Sequence, residues 1–168
     1  ASNDGCLLKN FVHEGIPVLG IEPARNVTEV ARANGVPTES VFFGSATAQR
    51  LASEGRMADL ILGNNVLAHV PDINDFVNGL NILLKPTGVI TMEFPYLMKL
   101  VEENQFDTIY HEHFSYFSLI AVEKIFKKHG LVIFDLEELP THGGSLRIYA
   151  KHEKDATKTI SAGIAALK

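Results

Sequence analysis

At 168 residues, 46% of them hydrophobic and 21% charged, the chain has the size and composition of one ordinary globular domain with a real core. Its formal net charge of −5, with no cluster of Lys or Arg, excludes the electrostatic footprint of a nucleic acid or an anionic membrane as partner. No apolar run approaches the roughly 20 residues that cross a bilayer, and no charged segment leads into an apolar one as in a secretory signal, so the expected location is cytoplasmic.

Ala1 to Gly5 reads as a loop of the kind that follows a strand, leading into a helix over 5–14. Val18-Leu19-Gly20-Ile21 is a short buried strand ending at Glu22-Pro23. A helix over 26–34 stops at Asn34-Gly35, with Pro37 beyond it, and is followed by a strand at 41–43, a helix over 45–54 and a strand at 59–62. Asp72 stands where an N-cap belongs, before the periodic Ile73, Phe76, Val77, Leu80, Leu83 and Leu84. Pro86-Thr87-Gly88 turns into an apolar strand over 89–92. A helix over 118–129 ends at Gly130, strands follow at 131–137 and 145–151, and 156–168 reads as helical.

Short apolar strands alternating with helices predict an α/β fold, a doubly wound, mostly parallel, Rossmann-like sheet. The last two strands are joined by about seven residues including Pro140, Gly143 and Gly144, too few for a parallel crossover, so they are expected to form an antiparallel hairpin at one edge. In this class ligands sit beyond the carboxyl ends of the strands. Residues 1–151 are expected to form one core and 152–168 to begin a following helical domain.

Two segments carry chemistry. Tyr110-His111-Glu112-His113-Phe114-Ser115-Tyr116 places two histidines and a carboxylate within three residues, the material of general acid–base catalysis. The opening loop holds a single glycine, Gly5, where dinucleotide folds use three to admit a pyrophosphate. A ligand without a pyrophosphate fits better, and S-adenosylmethionine is one; Glu22, at the next strand end, can accept both ribose hydroxyls of such a ligand.

Together, Ser2-Asn3-Asp4-Gly5, Gly20-Ile21-Glu22-Pro23, Phe42-Phe43 with Ala46-Thr47-Ala48, and Asn65-Val66-Leu67-Ala68-His69-Val70 resemble a class I S-adenosylmethionine-dependent methyltransferase. Tyr110 to His113 and His142-Gly143-Gly144 narrow the resemblance to the C-methyltransferases of deoxysugar biosynthesis, which act at C3 of nucleotide-linked 4-keto-6-deoxy sugars; it runs from Ala1 to about Lys151. It implies that Asn3, Asp4 and Gly5 line the methionine end of the donor, Glu22 holds its ribose, Ala46 borders the adenine and Asn65 flanks the transferring methyl. It further implies an acid/base pair of Glu112 and His113 with Tyr110 beside them, His69 lining the substrate pocket, and His142, Gly143 and Gly144 approaching the sugar or its phosphates. The pattern does not specify His111.

Family members carry an amino-terminal lobe with a four-cysteine zinc site and a carboxyl-terminal domain that helps bind the nucleotide-sugar. This chain has one cysteine, Cys6, and no counterpart of the family's central first strand, so it is expected to be a fragment of a larger enzyme with two inner strand edges unpaired.

The chemistry wants these residues. A carbon beside a ketone becomes nucleophilic only on losing a proton, so His113, aided by Glu112, is the expected base, and Tyr110 or His69 the expected donor to the developing C4 oxyanion. No metal is required, although His111, Glu112, His113 and His142 have ligand chemistry. The competing readings are a nicotinamide-dependent oxidoreductase on a related fold and a non-catalytic module with a methyltransferase fold. His69 as a local backbone cap, His13, His129 and His152 as solvated side chains, Phe114, Tyr116 and Phe117 as a wall under the loop, and Arg147 as an edge residue or phosphate ligand complete the expectations.

Overall fold

The computed structural model describes residues 2–167. They form two units, one through Phe43 and one from Gly44.

The first unit contains α1 (Leu8–His13), β1 (Gly20–Ile21), α2 (Arg25–Ala33) and β2 (Thr38–Glu39). The two strands are parallel, Gly20 facing Thr38 and Ile21 facing Glu39, with Ser2 N–H donating to the Ile21 carbonyl at 2.9 Å. α1 starts later than the expected 5–14 because Gly5, at φ 80°, is outside helical space, and a side chain there would strike Val36. The strand expected at 41–43 is instead at 38–39. Gly20 and Glu22 N–H donate to the Pro37 and Glu39 carbonyls, so the next rung to residue 41 would need Ala24 N–H, which the Glu22 carboxylate holds instead at 3.0 Å, and Phe42 is left 81% exposed.

The second unit contains α3 (Ser45–Ser53), β3 (Ala58–Asn64), α4 (Ile73–Leu83), β4 (Leu84–Pro95), α5 (Leu97–Glu102), α6 (Leu119–Lys128), β5 (Leu131–Leu139), β6 (Ser145–His152) and α7 (Gly163–Ala166). Its sheet has the order β3-β4-β6-β5. β3 pairs parallel to β4, while β6 pairs antiparallel to both β4 and β5, so β3, β4 and β5 share one direction and only β6 opposes them. The β5–β6 pairing is the hairpin that the short connection requires. Ile90, Met92 and Phe94 of β4, Leu146 and Ile148 of β6, Val77 and Leu80 of α4, and Val122 and Phe126 of α6 are all buried and form the centre of the core.

The apolar period of α4 begins where expected, and the Asp72 carboxylate accepts the Asp75 N–H at 3.0 Å. Asp72→Ala is expected to remove about 1 kcal/mol of stability, read as a lower midpoint in urea unfolding with an unchanged slope. The turn expected at 86–88 is absorbed into β4. Leu84 pairs with Ala58 and Val89 with Leu60, so the Pro-Thr-Gly segment bulges out and the strand continues to Pro95. The helix expected over 156–168 shrinks to α7, because Asp155 folds the chain back on itself, accepting from Thr157 N–H at 2.8 Å and from Lys158 at 2.7 Å. Ser161 N–H donates to the Phe134 carbonyl of β5, tying this stretch to the second unit. Among the described residues no helix is long and apolar enough to cross a membrane.

Candidate functional site

In the first unit, Asn3 (φ 51°) and Gly5 (φ 80°) turn the chain tightly, and Cys6 N–H donates to the Asp4 carboxylate at 3.2 Å. The turn is fastened to the end of β1 by Glu22, whose Oε2 accepts from Asn3 N–H at 3.1 Å and whose Oε1 accepts from Ala24 N–H at 3.0 Å. Glu22 is only 5% exposed. The structure therefore brings Asn3, Asp4, Gly5 and Glu22 together. Each carboxylate oxygen of Glu22 keeps a lone pair beyond its backbone bond, which fits a ribose diol.

In the second unit, a cavity of about 230 Å³ is lined by Asn65, His69, Pro95, Thr108, Tyr110, His113 and His142. Asn65 directly follows β3, Pro95 ends β4, and His142 lies in the β5–β6 connection, so the cavity lies beyond the carboxyl ends of three like-directed strands. Asn65 sits at φ 53° with its N–H on the Glu93 carbonyl at 2.8 Å, and its side-chain Oδ1 is buried with no partner. Ala46, the second residue of α3, is exposed.

The histidine segment is an excursion that leaves the sheet at Tyr96 and returns at Phe117, where the two residues bridge and Leu97 N–H donates to the Phe117 carbonyl at 3.0 Å. It is docked on the Leu67–His69 turn by two bonds: Phe114 N–H to the Ala68 carbonyl at 2.8 Å, and His69 Nδ1 to the Glu112 carbonyl at 3.0 Å. A carbonyl only accepts, so Nδ1 carries a proton in His69. His113 stands beside it, ring centroids 4.8 Å apart, with Nε2 at 2.9 Å from the Tyr110 hydroxyl. His113 Nδ1 is buried without a hydrogen bond of normal geometry, although the nearby Thr108 backbone favours a proton on the ring. Burial, and then the charge of His69, push the His113 pKa below the ordinary histidine value, against smaller opposing effects of Thr108 and Glu112.

His113, Tyr110, His69, Asn65 and His142 thus converge. Glu112 is exposed and offers the site its backbone carbonyl, while its carboxylate reaches His113 only as a weak charge. His111 is exposed and does not line the cavity. Gly143 and Gly144 line a neighbouring cavity of about 400 Å³ with Lys99, Glu103 and Glu138. Among the described residues no three potential metal ligands cluster. Phe117 is buried, whereas Phe114 is 62% exposed. His152, expected to be solvated, bonds Asn81 at 3.2 Å and the Leu84 carbonyl at 3.0 Å. Sequence reasoning missed Thr108, Pro95 and the buried Glu93; an acid between Met92 and Phe94 in an apolar strand was the available signal for the last.

Residues 2–136 match the family described as Methyltransferase domain. The chain belongs to this methyltransferase family. It is 42% identical over 149 residues to the C-methyltransferase NovU of Streptomyces niveus, covering 89% of this chain and 36% of the relative. It is 33% identical over 87 residues to the ubiquinone biosynthesis O-methyltransferase of Bartonella tribocorum, covering 51% of this chain and 35% of that protein. The chain therefore spans about a third of the length of these relatives. Among solved structures, an S-adenosylmethionine-dependent methyltransferase from Anabaena variabilis superposes with a TM-score of 0.70 at 18% identity, over 90% of this chain and 74% of that one. The magnesium protoporphyrin IX methyltransferase of Synechocystis, solved with bound S-adenosylhomocysteine, gives 0.66 at 15% identity over 89% and 70%. Methyltransferase-family folds of the Rossmann-like class are thus matched across most of the chain.

Proposed function

We propose that the protein transfers the methyl group of S-adenosylmethionine to the carbon beside the ketone of a nucleotide-linked 4-keto-6-deoxy sugar. The observation that carries this reading is His113 in its cavity, depressed in pKa and joined at Nε2 to Tyr110, a neutral base placed to receive through the phenol the proton of a substrate carbon acid. The 42% identity with a C-methyltransferase over most of the chain supports carbon as the accepting atom.

The donor supplies an electrophilic methyl. Asn3, Asp4 and Gly5 hold its methionine end, Glu22 its ribose, Ala46 borders its adenine and Asn65 flanks the methyl. Because His113 Nδ1 is closed off, Nε2 is the working nitrogen: as the phenol oxygen of Tyr110 takes the proton of the acceptor carbon, the phenol proton passes to Nε2. His69, whose Nδ1–H is committed to Glu112, donates to the developing oxygen anion from Nε2 only when doubly protonated, and there its charge favours the enolate. The exposed Glu112 carboxylate adds a weak pull on the His113 proton. His142, Gly143 and Gly144 face the sugar and its phosphates.

The test is direct: the full-length enzyme, given S-adenosylmethionine and such a sugar nucleotide, is expected to yield a product carrying the new methyl on carbon. A methyl on oxygen, or binding of NADH with none of S-adenosylhomocysteine, overturns the reading.

A further inference from the structure

The β4 strand carries one charged residue in its buried stretch, Glu93, which is 5% exposed and has no part in the proton transfer described above. Its carboxylate makes two bonds. Oε2 accepts from Arg147 Nη2 at 2.7 Å, and Oε1 accepts from the Thr141 hydroxyl at 3.1 Å. Glu93 and Arg147 are register partners across β4 and β6, and Arg147 faces Glu137 across β6 and β5, with Nη1 3.6 Å from the Glu137 carboxylate. The three form a row of alternating charge over three strands. Arg147, expected as an edge residue or a phosphate ligand, lies on the inner strand β6, where Glu93 and Glu137 are its partners.

Stability does not account for this arrangement. Taking the Glu93 carboxylate out of water costs several kcal/mol, and its partner Arg147 keeps 31% of its side chain exposed, so solvent screens the attraction that would repay that cost. What distinguishes Glu93 is its position. By strand alternation it shares a face with Pro95, which lines the cavity, and its backbone carbonyl holds Asn65, which lines it too. Its second carboxylate oxygen holds the start of the turn that carries His142.

That turn needs holding. His142, Gly143 and Gly144 have φ of 52°, 75° and 115°, three consecutive residues in the left-handed half of backbone space, and His142 has no glycine's freedom to be there. The Thr141 carbonyl accepts from Gly144 N–H at 2.9 Å and Ser145 Oγ at 3.0 Å, so the Thr141 hydroxyl is the point at which the closed turn is attached to the buried carboxylate.

We infer that Glu93 is the positioning residue for acceptor binding: through Thr141 its carboxylate fixes the Thr141–Gly144 turn so that His142 stands in the cavity lining. The inference deepens the function proposed above and rests on it for the identity of the acceptor.

The decisive variant is Thr141→Val, which removes the hydroxyl and keeps the side-chain volume, with Thr141→Ser as the conservative rescue. In the full-length enzyme Thr141→Val is expected to raise the acceptor KM about tenfold while kcat and S-adenosylhomocysteine affinity stay within about twofold, and Thr141→Ser to restore the KM. Amide exchange at Gly144, measured without substrate, is expected to quicken in Thr141→Val and not in Thr141→Ser. Glu93→Gln, which leaves Thr141 an acceptor but takes the charge from Arg147, is expected to give a smaller rise in KM. Unchanged exchange in Thr141→Val, or a Thr141→Ser enzyme as impaired as Thr141→Val, overturns the inference. Quickened exchange restored by Ser supports it even where the wild type transfers no methyl, in which case it is the functional reading that fails.

Discussion

His113→Asn in the full-length enzyme is expected to slow methyl transfer by about 10²–10⁴-fold, the contribution of a positioned base, with donor affinity nearly unchanged. Exchange of the acceptor carbon's proton with deuterium from solvent, measured without donor, isolates the deprotonation and is expected to fall with it. Tyr110→Phe is expected to fall almost as far, since the phenol stands on His113 Nε2, and His111→Asn far less, since His111 lies outside the cavity. The pH dependence adds a sign. Burial first and His69 second hold the His113 pKa below the ordinary value, so the neutral, competent form persists below that value and the acid limb of kcat/KM lies there too. His69→Gln removes one of these depressing influences, the protonated form then survives to higher pH, and the acid limb moves upward. Wild-type exchange in His113→Asn, or a limb that moves downward in His69→Gln, would show that the proton does not pass to His113.

Local signals were enough for much of this fold. The Asp72 cap and the apolar period behind it depend on neighbours within a few turns, and the β5–β6 hairpin depends on loop length alone, so both are readable from the chain. The end of β2 depends on Ala24, beyond β1, whose N–H is taken by the Glu22 carboxylate and not by residue 41, and no local pattern around Phe42 reports that. The partner of Glu93 was unreadable for a related reason. A carboxylate looks like the end of a strand until the arginine that neutralises it arrives 54 residues later from β6. The histidine segment stood out by composition, yet sequence adjacency misled about its wiring. Glu112 and His113 are neighbours in the chain, but the segment docks through the Glu112 carbonyl onto His69, and the group on His113 is the hydroxyl of Tyr110.

Glu22→Ala is expected to weaken binding of S-adenosylhomocysteine to the full-length enzyme by about a hundredfold or more, measured by calorimetry. Two charge-assisted hydrogen bonds to a ribose diol are worth roughly 1.5–3 kcal/mol each, and both would be lost. The substitution also strips the acceptor from Asn3 N–H and Ala24 N–H, so the turn through Asp4 and Gly5 loses its fastening to β1 at the same time. Glu22→Gln separates these effects. Its amide keeps one acceptor oxygen for a backbone N–H but turns a donor toward the other position, so the turn is held on one side while the paired acceptance of two hydroxyls is gone. If Glu22 holds the ribose, the Gln variant is expected to lose most of the affinity that the Ala variant loses while retaining more of its thermal stability. Donor affinity that follows stability across the two variants would mean that Glu22 only braces the turn, and unchanged affinity in both would remove it from the donor site.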